Sequence, residues 1–428
     1  MTHHDSSGRA AALLAFVVAL IFCGLTRADN WPSWRGPTGQ GHTTEKELPL
    51  TWNGKTGENV IWKAPLYDDA KVKLDHNQSS PIVWGDRIFV TLSYWPADKT
   101  SKDFPEHHVR CFARQTGKKL WDTIVPPGDW LLTDLRGGYT APTPCTDGER
   151  VYVVFGSACM AALDFQGKID WHKKFDYKNI DVAVGTSPIL NDGVLLYVCD
   201  KNNKSSKLWA FDPKNGDLKW EKDRPGGVFT HSTPILAQVG GKTQLLVAAS
   251  NAVQGVDPAK GDILWWCQAS GDTASPVYSD GIVYCDSGRG GPGTAVAPTG
   301  MGDVTKSLLK WKSAQVPSGF SSPIIVAGRL YRLHDPRVLT CWDLATGKEL
   351  FHERIDVSTT AASPVATPEG RIYLASAGKS LVIEAGPKLK ILASNDLGDP
   401  QVASPAVSGG QLFIKGRTFL FCVGKKSP

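Results

Sequence analysis

Beyond Leu25 the sequence has no apolar run long enough to cross a bilayer, which leaves no candidate for a further membrane helix. It has no concentrated basic stripe. Its 47 Lys and Arg are interspersed with 42 Asp and Glu for a formal net charge of +5, so the electrostatic footprint of a nucleic-acid binder is missing. Neither Gly-x-Ser-x-Gly nor His-Glu-x-x-His occurs, and the Ser307-x-x-Lys310 pair leads straight into Trp311 on an expected strand. Cys-x-x-Cys-His is absent, which removes covalently attached c-type haem. Gly378-Lys379-Ser380 is not a phosphate loop, because Tyr373 stands where the first glycine belongs.

What stands at the start reads as an export signal over residues 1–28. Arg9 precedes the apolar run from Ala10 to Leu25, and Thr26-Arg27-Ala28 offers a cleavage site ending in a small residue. Acylation of Cys23 is the lipid-anchored alternative, but Phe22 is bulky where a lipidation site wants a small residue. An uncleaved anchor is the third reading. The expected location is periplasmic or extracellular, with membrane association left open, and the mature chain is expected to be a monomer without a transmembrane segment.

What dominates the remainder is a repeat. An apolar strand opened by Ser-Pro or Thr-Pro recurs at Ser80, Thr143, Ser187, Thr233, Ser275, Ser322, Ser363 and Ser404. A period a little over forty residues marks a β-propeller in which each repeat is one four-stranded blade. Strand A follows the proline. A Gly/Asp/Asn turn such as Asp280-Gly281 leads to strand B, whose aromatic is Phe89, Tyr152, Tyr197, Tyr284, Tyr331, Tyr373 or Phe413. Strand C runs into a second turn, as in Thr116-Gly117-Lys118. Strand D ends on Trp121, Trp171, Trp220, Trp265, Trp311 or Phe351, which the repeat assigns to packing between blades. The eighth copy lacks strand D, and residues 59–63 match it. The predicted fold is therefore all-β: eight four-stranded antiparallel blades over residues 59–428, the ring closed by an N-terminal strand, with an extension over 29–58.

Eight cysteines in an exported chain suggest disulfides, but the repeat argues otherwise. Cys111, Cys341 and Cys422 share one repeat position with Ala161, Ala210 and Gly255. A position that takes Ala, Gly or Cys is a tight packing site, so mostly free buried thiols are expected, with one disulfide left open.

The pattern Ser-Pro … Tyr-Val … Leu-Asp … Thr-Gly … Leu-Trp, best carried by Ala162-Leu163-Asp164, Phe211-Asp212 and Trp342-Asp343, resembles the pyrroloquinoline-quinone (PQQ) repeat of quinoprotein-type eight-bladed propellers. The opening Trp31-Pro32-Ser33-Trp34-Arg35-Gly36-Pro37 resembles a subgroup of exported bacterial propellers. The resemblance implies one of two kinds of protein. Dehydrogenases hold PQQ and calcium in the central funnel. A propeller lipoprotein of the outer-membrane β-barrel assembly machinery binds protein and no cofactor. This chain has no vicinal Cys-Cys pair and lacks the long insertions of the dehydrogenases, and its size is nearer the assembly lipoprotein.

A propeller places the residues before strand A and after strand B around one end of its channel. Those residues are His76, Asn77, Gln78, Arg136, Tyr139, His231 and Phe320, and then Asp200, Asn202, Asn251, Asp286, Arg289, His334, Asp335, Lys415 and Arg417. They form the candidate ligand rim. Asp200, Asn251, Asp286 and Asp335 are the oxygen donors available to calcium. His231 and His334 are the candidate bases, and His107-His108 with His76 a candidate metal group. Trp95, Phe104, Trp130 and Leu131 fall in apparent loop insertions of blade one and are candidate anchors for a partner. The expectation is an extracytoplasmic, non-catalytic propeller that binds protein or carbohydrate, with no catalytic residue, metal or cofactor assigned. A PQQ-dependent oxidoreductase and a small-ligand sensor are the alternatives.

Overall fold

The computed structural model describes Met1 and residues 30–69, 71–176, 183–201, 205–225 and 230–425. The export signal, Cys23 and Asn202 lie outside the described residues. Eight antiparallel sheets follow one another in chain order and close into a ring, an eight-bladed propeller with four-stranded blades. Blade six shows the plan: Ile324–Val326, Arg329–His334, Val338–Asp343 and Glu349–Arg354, paired in sequence. In blade eight, Ala406–Ser408, Gln411–Lys415 and Phe419–Gly424 are joined by Val60–Pro65 at the outer edge. The earliest strand thus completes the last blade, as the repeat predicted.

Neighbouring blades are clasped by one device used repeatedly. The strand D tryptophan lies flat against the C–D turn glycine of the next blade. A Cβ built on Gly117 would sit 2.5 Å from the Trp62 ring, and one on Gly216 2.7 Å from Trp171. Both glycines also hold positive φ, so the turn and the close approach each demand glycine. The indole N–H of Trp62, Trp121, Trp171 and Trp311 donates to a carbonyl of that same turn at 2.8–2.9 Å. Opposite each ring stands the small residue of the repeat: Cys111 faces Trp121, Ala210 faces Trp220, Gly255 faces Trp265 and Cys422 faces Trp62. All eight described cysteines are free and buried.

The Ser/Thr before each proline forms a second device, at the waist of the channel. The backbone N–H of each donates to the hydroxyl of the next: Ser80 to Thr143, Thr143 to Ser187, Ser187 to Thr233, Thr233 to Ser275, Ser275 to Ser322, Ser322 to Ser363, Ser363 to Ser404, and Ser404 back to Ser80. The bonds measure 2.9–3.0 Å and form a closed girdle of eight. The repeated Ser/Thr is therefore a blade-to-blade acceptor as well as the opening of a strand.

The N-terminal extension is a strap across the end of the disc where strands A and B turn. Trp31 bridges Val83 of blade one, and Pro32 accepts from Thr146 of blade two. Gln40 accepts from Tyr278 of blade five, and Arg35 donates to the Pro323 carbonyl of blade six at 2.7 Å. His42 bridges Ala366 of blade seven, and Glu45 accepts from Gly409 and Gly410 of blade eight. Trp34 and Gly39 share a cleft with Pro188–Leu190 of blade three and Pro234–Leu236 of blade four. Trp31 is 2% exposed and Trp52 1%, so the strap is held by burial as well as by hydrogen bonds.

Candidate functional site

Within the channel lies a cavity to whose lining the strap contributes Trp34. Its volume is about 410 Å³. The Trp34 indole reaches it from the strap side, and its waist carries every girdle residue except Thr143. Gln78, Arg136, His231, Arg289 and Phe320 line it on the mouth side. These five are the rim residues that the structure brings together. Gln78 donates to the Arg136 carbonyl at 3.0 Å, tying the loop before blade one to the loop before blade two. Arg136 forks onto Asp134, and Arg289 lies 3.5 Å from Asp272. Burial raises the pKa of Asp272. Phe320 is 53% exposed, a large apolar ring held open at the entrance.

The other nominated rim residues stand elsewhere. Asp200 is fully buried and receives Nε and Nη2 of Arg224, each at 2.8 Å. Asp286 receives the same fork from Arg332, at 2.8 and 2.9 Å. Each carboxylate closes a buried ion pair, which is why neither reaches the channel. Asn77 is buried and satisfies Tyr67, Ser93 and Thr140. Tyr139 is buried, and its hydroxyl accepts from the Leu132 N–H at 2.8 Å. His334 is 1% exposed, with Nε2 on Thr340 and Nδ1 on the Asp335 carbonyl. Burial lowers its pKa, and it faces protein groups and no open space. Lys415 is wholly buried, 2.8 Å from the Ser79 hydroxyl, and desolvation lowers its pKa to about 7. Asn251 lies in a separate surface cleft with Gln268 and Lys312. His76, Asp335 and Arg417 are exposed and outside the cavity lining.

Blade one also differs from its sequence reading. Trp95 is not on a loop but ends the long strand Arg87–Trp95, 1% exposed, its indole donating to the Asp103 carbonyl. The apparent insertion is an extended hairpin with Glu106–Ala113. His107 and His108 therefore sit on a strand: His107 stacks on Phe155 and touches the Ser157 hydroxyl, and His108 holds Asp122 at 2.8 Å. Phe104 and Trp130 pack partly buried against Trp95, Leu132 and Tyr139, leaving Leu131 exposed above them. No three His, Cys, Asp or Glu side chains among the described residues gather to hold a metal.

A calcium-held quinone would need anionic oxygen donors beneath a planar slot. The cavity lining contains no Asp or Glu, and the two deepest nominated carboxylates are committed to arginines. These residues do not fit that cofactor. The girdle and the Asp286–Arg332 pair were missed in the sequence. Both carried a signal, since their partners are separated by about one repeat period, 46 residues for Asp286 and Arg332.

A family model described as outer membrane protein assembly factor BamB matches residues 105–353. Among solved structures, BamB from Moraxella catarrhalis is 12% identical with a TM-score of 0.58, over 85% of this chain and 99% of that one. A europium-containing methanol dehydrogenase is also 12% identical, with a TM-score of 0.62 over 90% of this chain and 89% of that one. A computationally designed protein, Ika8, is 11% identical with a TM-score of 0.52, over 82% and 98%. At such identities the likeness is one of fold. No curated protein sequence matches.

Proposed function

This chain belongs to the family of the outer membrane protein assembly factor BamB, and from that premise we propose that it is an exported, non-catalytic scaffold that binds a protein partner on the mouth face of its disc. The observation that carries the reading is the fate of the nominated acids. Asp200 and Asp286, the residues chemistry in the funnel would call on first, are locked into buried ion pairs. What the mouth face offers instead is contact surface. The B–C hairpin of blade one and the segment after Val125 both emerge there. Leu131 is 37% exposed over a buried base of Trp95, Leu132 and Tyr139, an apolar anchor on a rigid support. The mature chain acts as a monomer in the periplasm, associated with the membrane through its partner or a lipid on Cys23.

Two measurements test this. The purified chain is titrated with PQQ with and without Ca²⁺, followed by quinone absorbance and dye-linked alcohol oxidation; no turnover is expected, and calcium-dependent turnover overturns the reading. A photo-crosslinking amino acid is then placed at Leu131 or, on the outer edge, at Leu218 in the native host. Discrete adducts from position 131 alone support the mouth face. Equal labelling from both positions, or none from 131, rejects it.

A further inference from the structure

The strap carries a buried cation that the blades leave short of acceptors. Arg35 is 2% exposed, and its Nη2 donates to the Pro323 carbonyl at 2.7 Å. Nε and Nη1 are buried as well, and among the described residues no protein group accepts from either. A guanidinium is all donor, and these two nitrogens hold the larger part of its N–H groups.

Nothing on the protein offsets the charge. Burial alone acts on Arg35, lowering its pKa to about 9, with no carboxylate among the described residues to oppose it. The group therefore keeps its proton at neutral pH. His42, further along the strap, is lowered to about 4 by burial and by the Arg35 charge, so it is neutral there and supplies no anion. The Trp34 ring lies 5.6 Å from the Arg35 Cζ, an attractive face without an acceptor. A buried charge with no partner is strongly destabilising, and orphaned buried donors in native folds point to a water or an ion that completes them.

The surroundings limit what that ligand can be. A Cβ on Gly41 would lie 2.5 Å from the Pro364 carbonyl and 3.1 and 3.3 Å from Nη2 and Nε of Arg35. Such crowding disfavours polyatomic oxyanions and organic acids and leaves a single-atom anion. Arg35 lines neither the funnel cavity nor the cleft beside Pro188–Leu190, so the group is separate from both.

We propose that Arg35 is the centre of an internal halide site, in which one chloride-like ion accepts from the N–H groups that the protein leaves without an acceptor. The ion converts a lone buried charge into a charge-assisted, hydrogen-bonded pair. Arg35 is tied to Pro323 of blade six, and the Gly41 carbonyl accepts from the Ala366 N–H of blade seven at 2.8 Å. Occupancy thus fastens the strap across those two blades. The site is independent of any partner on the mouth face.

The test is scanning calorimetry of the purified chain in sodium gluconate, with chloride replacing gluconate from about 1 to 100 mM at constant ionic strength. For one site on the folded chain, each tenfold rise in chloride beyond half-saturation should raise the melting temperature by about 1.5 °C, and bromide should act alike. Arg35→Met, an apolar chain in place of the cation, should melt at or above the parent without halide and show no chloride dependence. Crystals of the parent grown with bromide should give an anomalous peak within hydrogen-bonding reach of the Arg35 guanidinium, a readout that does not rely on the variant folding. The proposal fails if the parent is indifferent to chloride, if Arg35→Met keeps the parent's chloride dependence, or if bromide leaves no peak at Arg35.

Discussion

Removing one hydroxyl from the girdle should cost the whole disc measurable stability. Ser322 is 1% exposed, and its Oγ accepts the Ser275 N–H at 2.9 Å. Ser322→Ala leaves that N–H buried without an acceptor while removing almost no apolar surface. Stranding a buried donor costs about 1–3 kcal/mol, the lower end applying if a lumen water takes over. Unfolding entropy for a chain of 428 residues is roughly 0.9 kcal/mol per kelvin, so the melting temperature should fall by about 1–3 °C. Ser322→Thr keeps the oxygen and should sit within about 0.5 kcal/mol of the parent. Because the device is repeated, Ser275→Ala and Ser363→Ala should give the same drop. Scanning calorimetry on the four variants checks this. If all three alanine variants melt with the parent, the girdle is a geometric coincidence of the ring and contributes nothing to holding blades together.

Other consequences follow from burial. Lys415, ordinarily near 10.5 and lowered to about 7, is charged in the unfolded chain and neutral in the folded one between those values. Stability should therefore rise with pH from about 7 to 10.5, and Lys415→Met should flatten that part of a denaturant-midpoint profile while raising stability at pH 7. A profile unchanged by the substitution would show that another group sets the slope. Trp95→Ala should cost about 3–5 kcal/mol, whereas Leu131→Asp should stay within about 0.5 kcal/mol, compared by urea unfolding. Equal losses would make Leu131 part of the packing rather than an anchor above it. Burial pushes thiols such as Cys111 and Cys341 up to about 12, so a thiol reagent should leave the native chain untouched and modify all eight described cysteines once urea unfolds it. Rapid native labelling would mean that the blades breathe.

Whatever repeats was legible in the sequence. The eight Ser/Thr-Pro openings, the Thr-Gly turns and the strand D tryptophans are periodic because each blade solves the same packing problem, and residues 59–63 declared themselves as a displaced strand D. Local strand register also exposed the cysteines as packing residues. The site was less legible because a rim position fixes only where a backbone passes. Whether a side chain turns into the lumen or back between blades depends on partners such as Arg224 and Arg332, which lie 24 and 46 residues from their acids. Trp95 misled for a related reason: extending a hairpin lengthens a connection just as a loop does. The strap had no periodic signal at all. Most of its hydrogen bonds run to backbone atoms of the blades, which any residue supplies, so its contacts leave no pattern in the blade sequences.

The strap also sets a schedule. A chain delivered N-terminus first presents Trp31 to Glu47 before any of the blades they touch exist, and Val60–Pro65 waits for Phe419–Gly424, the last strand of all. Residues 30–65 thus wait for partners that follow them in the chain, and the contacts that span nearly the whole sequence form only once the final blade has been delivered. Throughout that interval the ring has an open edge where Val60–Pro65 will pair. A chain cut before Phe419–Gly424 leaves Val60–Pro65 without its partner strand and the ring with an open edge, exposed to pairing with other chains.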